Sequence, residues 1–120
     1  GQPAPTLSGG EAQRVKLASF LVKGQEKEPI LFFFDEPTTG LHFHDVAKLL
    51  RAFEALIEKG HSVVVIEHNL EVIKSSDYLI ELGPVGGEDG GYLMYQGSPE
   101  GIKDIKDSPT RPHLMTKLGL

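Results

Sequence analysis

The sequence has 120 residues and contains no cysteine. Neither a disulfide framework nor a thiolate-bound zinc ion can therefore form within it. This absence is compatible with a reducing cytoplasm, which is the location we expect. The five histidines offer no convincing metal set, because His42 and His44 lie two residues apart at a predicted loop–helix junction.

Long hydrophobic runs and an excess of positive charge are also missing. The longest apolar run, residues 30–34, is far too short to span a bilayer, so no membrane partner is expected. The first five residues lack the features of a signal peptide, and there is no initiator methionine. We therefore expect the sequence to begin within a longer chain. A formal net charge of −5 argues against a self-sufficient DNA-binding surface.

A phosphate-binding loop of the form Gly-x-x-x-x-Gly-Lys-Ser/Thr occurs nowhere in the sequence. The glycine cluster at residues 83–91 contains no lysine and precedes no clear helix, so it is predicted to be a hairpin loop. Such a chain by itself is expected to have little affinity for ATP and no ATP turnover.

What the sequence does contain is an alternation of helical and strand patterns. Helical spacing of apolar residues predicts a helix over residues 8–22 and another from Phe43 to a stop at Lys59 and Gly60. Asn69 is a good cap for a short helix, and Ser98 followed by Pro99 predicts a further helix start. After residue 107 we expect a tail without periodic structure.

Strands are predicted at residues 30–34, 62–67, 77–82 and 92–96. The first two are continuous apolar runs, which is typical of strands covered on both faces. The close spacing of the last two predicts an antiparallel hairpin. The order indicates an α/β fold with a mainly parallel sheet flanked by helices and a C-terminal β-hairpin.

Charged residues follow the first two strands where each one ends. Asp35 and Glu36 follow the first strand, and Glu67 and His68 lie at the end of the second. Ligands of parallel sheets bind beyond the carboxyl ends of the strands, so we expect these side chains to share one space. Asp35 could hold Mg²⁺, Glu36 could deprotonate a water and His68 could contact a phosphate. A capped turn and a structural histidine are the alternative interpretations.

The segment Leu7-Ser8-Gly9-Gly10-Glu11 has the pattern of a helix start. Ser8 and Glu11 have the spacing of a capping box, so a plain capped helix is one interpretation. Consecutive glycines also expose backbone N–H groups at the positive end of the helix, which favours binding of an anion.

These three motifs, in this order, resemble those of the ATP-binding-cassette family. Residues 7–14 resemble its signature motif, residues 30–36 its Walker B strand, residues 37–42 its D-loop and residues 66–68 its switch-histidine region. The glycine-rich hairpin and His42, where transporters usually carry Asp, are similar to the branch that senses DNA damage in bacterial nucleotide excision repair. Glu11, in place of the transporters' commoner Gln, is a further departure from the family pattern.

The resemblance implies a role for each matching position. Asp35 would serve Mg²⁺, Glu36 would be the catalytic carboxylate, and His68 would sense the terminal phosphate of ATP. Because family ATP sites are shared between two cassettes, the signature residues would contact a nucleotide held by a partner cassette: Ser8, Gly9, Gly10 and Glu11.

The resemblance also implies an organisation and a set of partners. Residues 1–107 would be the C-terminal portion of a nucleotide-binding domain, and residues 108–120 a tail. Damaged DNA and zinc would be bound through regions outside this sequence. A helicase subunit of the repair system, a second copy and the other cassette would be protein partners. The ATPase subunit of a transporter and a non-catalytic binding module remain the alternatives.

Overall fold

The computed structural model of the chain describes residues 9–23, 28–83 and 90–120. The chain divides into two compact units, Gly1–His68 and Asn69–Leu120. The elements follow in the order α1 (Gly9–Lys23), β1 (Leu31–Asp35), α2 (Phe43–Glu58), β2 (Ser62–Ile66), α3 (Leu70–Ser75), β3 (Leu79–Gly83), β4 (Tyr92–Gly97), a 3₁₀ helix (Pro99–Asp104) and α4 (Arg111–Leu118).

The first unit contains a parallel pair of strands. β1 pairs with β2 in a register that places Phe32 opposite Val63 and Asp35 opposite Ile66. Helix α2 connects the two strands, as the alternation of sequence patterns predicted. It ends where expected, with Gly60 at a φ of 94° and its N–H donated to Ile57. The predicted α/β class, with a parallel sheet and helices, is confirmed.

The core of the first unit lies between the helices and one face of this sheet. Apolar side chains of α2 recur at helical spacing and bury themselves against α1 and the strands. The ring centroids of Phe34 and Phe53 are 4.9 Å apart, and so are those of Phe20 and Phe32. The fully buried part of the cluster consists of Leu17, Phe34, Leu49, Phe53 and Leu56.

The opposite face of the same sheet is open. Phe33 is 68% exposed, and Leu31, Val64 and Ile66 are also exposed. The expectation that both faces of these strands are covered is wrong for this chain, because α1 and α2 both pack on the face that carries Phe34. The continuous apolar run therefore gives the β1–β2 sheet two apolar faces. The described residues cover only the face that carries Phe34.

The second unit contains the predicted hairpin. β3 and β4 pair in antiparallel fashion, with a register shift between Glu81 and Leu82. The shift accompanies a buried carboxylate: Glu81 lies inside the unit, and its Oε2 accepts the N–H of Thr110 at 3.1 Å. Oε1 of Glu81 has no hydrogen-bond partner among the residues that the structure describes.

Two expectations about the end of the chain are corrected. The segment after residue 107 is not a tail without periodic structure, because it contains helix α4, whose Leu114 is fully buried. Pro112 stands in the first turn, where its missing N–H is tolerated, and Gly119 closes the helix at a φ of 76°. The helix after Ser98 is 3₁₀, and the Ser98 side chain makes no capping hydrogen bond there.

Asn69, by contrast, caps α3 as predicted. Its Oδ1 accepts the N–H groups of Glu71 and Val72 at 2.9 and 3.3 Å. Helices α3 and α4 pack against each other, and Lys117 forms an ion pair with Glu71 across them. Across the ranges that the structure describes, none of the helices has the length and apolarity needed to cross a membrane.

Candidate nucleotide site

The candidate site lies at the carboxyl ends of β1 and β2, within the first unit. The two strands run side by side, and the N–H of Glu36 donates to the carbonyl of Ile66 at 2.8 Å. Parallel pairing therefore continues one residue beyond β1. It brings the residues that follow both strands to the same edge of the sheet.

Glu36 and His68 meet at this edge. The Oε1 atom of Glu36 lies 3.2 Å from Nε2 of His68, although 31 residues separate them in the sequence. The expectation that Asp35, Glu36 and His68 share one space is confirmed for Glu36 and His68. Their side chains are 49% and 87% exposed, so a phosphate and a water molecule could reach both groups.

The backbone of Glu36 is in a conformation that side chains rarely adopt. Its φ is 47°, the only positive value among the described residues other than glycine. Such a conformation costs of order 1–3 kcal/mol and persists only where the surroundings fix it. Here the carbonyl of Glu36 accepts the N–H and the hydroxyl of Thr39 at 3.2 and 2.7 Å.

Asp35 occupies the last position of β1 and is exposed. Alternation along the strand places it on the same face as Phe33, the face that α1 and α2 leave open. Both of its backbone groups are held by one side chain: Gln13 donates Nε2 to the Asp35 carbonyl at 2.7 Å and accepts its N–H at 2.5 Å. The carboxylate thus projects from a fixed backbone.

The donor set at the strand ends fits a magnesium ion that arrives with a nucleotide. Within residues 9–23, 28–83 and 90–120, no three histidine, aspartate or glutamate side chains gather to form a metal site of their own. Mg²⁺ commonly takes one or two carboxylates, and phosphate oxygens and water complete its shell. Asp35 provides one such carboxylate at an exposed strand end.

The N-terminal part of α1 is joined to the segment that follows Glu36. Nη1 of Arg14 donates to the carbonyl of Pro37 at 2.5 Å and to that of Thr39 at 3.1 Å. Gly10 is buried at the same contact, where an added Cβ would lie 3.3 Å from Cβ of Thr39 and 2.7 Å from Nη1 of Arg14. Gly10 therefore has a packing role, whatever else it contacts.

Other predicted site residues are placed less completely. Ser8 lies outside the described residues, so its predicted cap is untested. Gly9 and Glu11 lie in the first turn of α1, where the sequence predicted an anion-binding helix start. His42 precedes α2 with no side-chain capping hydrogen bond, and the His44 ring packs edge-on against Phe43.

Glu67 makes contacts at the site that the sequence did not predict. It stands between β2 and His68, and its Oε2 accepts the N–H of Thr38 at 3.2 Å and the Thr38 hydroxyl at 2.7 Å. Its Oε1 accepts the N–H of His68 at 3.1 Å. The sequence marked Glu67 as acidic and at a strand end, but nothing in it identified Thr38 as the partner.

Comparison with known proteins extends this description. No family model matches the chain. The chain is 55% identical over 119 residues to UvrABC system protein A of Mycobacterium bovis, a match that covers 99% of this chain and 12% of that protein. It is 53% identical over 118 residues to the protein of the same name from Streptococcus pyogenes serotype M1, of which it also covers 12%.

The fold matches as well. The crystal structure of UvrA2 from Deinococcus radiodurans superimposes with a TM-score of 0.84 at 42% sequence identity, covering 94% of this chain and 14% of that one. The fold is that of part of an α/β ATPase of the ATP-binding-cassette type. The matches place the chain in the UvrABC system protein A family, as the counterpart of one segment of those longer proteins. The chain spans about one eighth of the length of these relatives.

Proposed function

We propose that this chain supplies the hydrolytic half of an ATP site in a DNA-repair ATPase of the UvrA type, acting in the cytoplasm. One observation carries the proposal: the Glu36 carboxylate and the His68 imidazole lie 3.2 Å apart at the ends of adjoining parallel strands. Residues 1–107 would form the C-terminal portion of the second nucleotide-binding domain, with the phosphate-binding loop provided by another part of the protein.

Each residue has a distinct task in this proposal. Glu36 accepts the proton of the water that attacks the γ-phosphate, a role worth roughly 10²–10⁴-fold in rate. His68 donates a hydrogen bond to the γ-phosphate and stabilises the charge that develops on it. Asp35 is the carboxylate that would hold Mg²⁺, which neutralises phosphate charge when bound. The contacts that hold the backbone of Glu36 in its strained conformation fix the point from which its side chain extends.

The signature residues serve a different nucleotide. Ser8, Gly9, Gly10 and Glu11 would contact the ATP bound by a partner cassette, either the other cassette of the same protein or a second copy. The chain would then contribute to two ATP sites. Arg14 and Gln13 link the two contributions, because both residues stand on α1 and hold the backbone of residues 35–39.

The partners follow from the family. Damaged DNA, a UvrB-type helicase subunit and the zinc ions of the family would bind to parts of the complete protein outside this chain. A transporter ATPase subunit is the second candidate, and the identities of 53–55% to UvrABC system protein A favour the repair protein. By itself the chain would be a non-catalytic piece, because it has no phosphate-binding loop.

The test is a Glu36→Gln substitution in the complete ATPase. Glutamine keeps the size of the side chain but cannot accept the proton, so the turnover number should fall by at least about 10²-fold. Binding of Mg-ATP, measured by calorimetry, should be unchanged. The matched control is Glu54→Gln on the exposed surface of α2, which should hydrolyse ATP at the wild-type rate. A Glu36→Gln enzyme with normal turnover would remove Glu36 from the role of base.

A further inference from the structure

We infer that Glu67 is a positioning residue of this ATP site: it fixes the D-loop segment and the switch histidine through a single carboxylate. The inference rests on the proposed function. It concerns a residue that hydrogen-bonds to Thr38 and His68 and takes no proton-transfer role in the proposed chemistry.

The first observation is the geometry of the carboxylate. Its two oxygens face three donors: Oε2 takes the N–H and the hydroxyl of Thr38, and Oε1 takes the N–H of His68. All three distances lie between 2.7 and 3.2 Å. Hydrogen bonds to an ionised acceptor are roughly twice as strong as neutral ones. Only a carboxylate offers acceptors on both oxygens without presenting a donor.

The second observation is that the segment after Glu36 is held from two sides by groups of opposite character. The Arg14 guanidinium binds the carbonyls of Pro37 and Thr39, and the Glu67 carboxylate binds the N–H and hydroxyl of the residue between them. The backbone of residues 37–39 is therefore held by two charged side chains: Arg14, which donates hydrogen bonds, and Glu67, which accepts them. The chain has no freedom to rotate there without losing a charged hydrogen bond.

The third observation connects this clamp to the proposed chemistry. The Glu67 carboxylate accepts hydrogen bonds from Thr38, which lies two residues after Glu36, and from the N–H of His68. It therefore holds the backbone close to both residues of the Glu36–His68 pair, whose side chains are 3.2 Å apart. A displacement of about 1 Å at a reacting group can cost 10²-fold in rate. Loss of the Glu67 contacts is therefore expected to alter catalysis more than nucleotide binding.

The experiment compares Glu67→Gln with wild type in the complete ATPase. Glutamine has the same shape, but its NH₂ group must face at least one of the three donors. We expect kcat to fall roughly 10- to 100-fold. The KM for ATP should stay within about threefold, because the lost contacts act on the transition state rather than on ground-state binding. Glu54→Gln is the control for the same chemical change on an exposed helix face.

Thr38 provides the second set of variants. Thr38→Val removes the hydroxyl, and Thr38→Ser retains it, so Ser should keep near-normal turnover while Val lowers kcat in the same direction as Glu67→Gln. Because Glu67→Gln and Thr38→Val break the same contact, the double variant should be no slower than the slower single variant. If Glu67→Gln fails to fold, judged by its circular dichroism, the Val and Ser variants decide the matter.

Several outcomes would overturn the inference. These are a Glu67→Gln kcat within about twofold of wild type, a rise in KM with unchanged kcat, multiplicative effects in the double variant, or equal rates for the Val and Ser variants. Glu36→Gln measured in parallel separates the two proposals. An inactive Glu36→Gln beside a normal Glu67→Gln defeats the positioning role alone, whereas a fully active Glu36→Gln defeats the proposed function and this inference with it.

Discussion

The two units of this chain use polar side chains in different ways. In the first unit, the polar contacts of Gln13, Arg14 and Glu67 all converge on residues 35–39. In the second, the contacts of Glu81 with Thr110 and of Glu71 with Lys117 lie at separate places, one at the hairpin and one between α3 and α4. Holding three side chains on one short segment costs side-chain entropy. Such a concentration of contacts indicates that the positions of residues 35–39 have to be fixed, as they do at a functional site.

The largest expected effects come from the two cores. Leu56 in the first unit and Leu114 in the second are both fully buried. We expect Leu56→Ala and Leu114→Ala each to lower the free energy of unfolding by about 2–5 kcal/mol, since each leaves a cavity. All three tyrosines, at positions 78, 92 and 95, lie in the second unit, so tyrosine fluorescence reports on that unit alone. Urea unfolding followed by fluorescence and by far-UV circular dichroism measures both.

Leu56→Ala should shift the circular dichroism midpoint more than the fluorescence midpoint, and Leu114→Ala should shift both. Ile57→Ala, next to Leu56 but 45% exposed, is the control and should cost no more than about 1 kcal/mol. If both core variants shift both signals equally, the chain unfolds as one piece and the contrast between the units has no energetic counterpart.

A smaller effect is expected at the contact between α1 and the segment after Glu36. Gly10→Ala would place a Cβ 2.7 Å from Nη1 of Arg14 and 3.3 Å from Cβ of Thr39, so the end of the Arg14 side chain must shift and its hydrogen bonds to the carbonyls of Pro37 and Thr39 weaken. We expect a net loss of about 1–3 kcal/mol in the free energy of unfolding, measured in urea. In an Arg14→Met background the loss should shrink, because the displaced group is gone. An equal loss in both backgrounds would locate the clash elsewhere.

In the second unit, the cap of α3 offers an effect of about 1 kcal/mol. Asn69→Ala removes the oxygen that accepts the N–H groups of Glu71 and Val72, and caps of this type are worth roughly 0.5–2 kcal/mol. Asn69→Asp keeps the acceptor and should retain the stability. The measurement is urea unfolding followed by tyrosine fluorescence. An Ala variant as stable as wild type would show that tertiary contacts alone hold α3.

The smallest effect is a pH dependence in the same unit. The hydrogen bond from Lys117 lowers the pKa of Glu71 below its ordinary value of 4.5; burial opposes this shift, and the charges of Lys117 and Lys74 add to it. The pair therefore stabilises the fold above pH 4.5, and the contribution is lost as the pH falls through the lowered pKa. Glu71→Gln should be less stable than wild type at pH 7, by under about 1 kcal/mol, and equally stable in strong acid.

Lys117→Met gives the matching test of this pair. It should cost as much at pH 7 as Glu71→Gln does, and the double variant should cost no more than either one. A difference between Glu71→Gln and wild type that persists unchanged from pH 7 into strong acid would show that the charge of Glu71 is not the cause.

Much of the candidate site followed from local pattern. The strand that ends in Asp35 and Glu36 and the strand that precedes His68 were predicted from their apolar runs, and parallel pairing then required their ends to meet. Asn69 was predicted as a cap for the same kind of reason, because an Asx side chain before a helix satisfies N–H groups that belong to its own first turn. In each case the prediction depends on residues that are close together in the sequence or on a pattern that repeats along one strand or helix.

The errors share a different cause. The open face of β1 and β2 could not be predicted, because the apolar run is the same whether one face is covered or both. Helix α4 was missed because its apolar residues form only a weak stripe. Pro112 near its start and Gly119 at its end are nevertheless the residues expected where a helix begins and ends. The contact of Glu67 with Thr38 could not be predicted, because Thr38 lies 29 residues away and belongs to no pattern that pairs it with Glu67.

The sequence by itself determined the order of the elements that precede α4, the strand ends that carry charge and the spacing of the three motifs, since backbone geometry links those features to periodicities of two and 3.6 residues. Only the tertiary structure decided that Glu36 adopts a left-handed backbone and that one carboxylate holds both Thr38 and His68. It also decided that Gly10 packs against Thr39. Those features depend on which distant groups come within about 3 Å of one another, a distance at which hydrogen bonds form and which no pattern along the chain encodes.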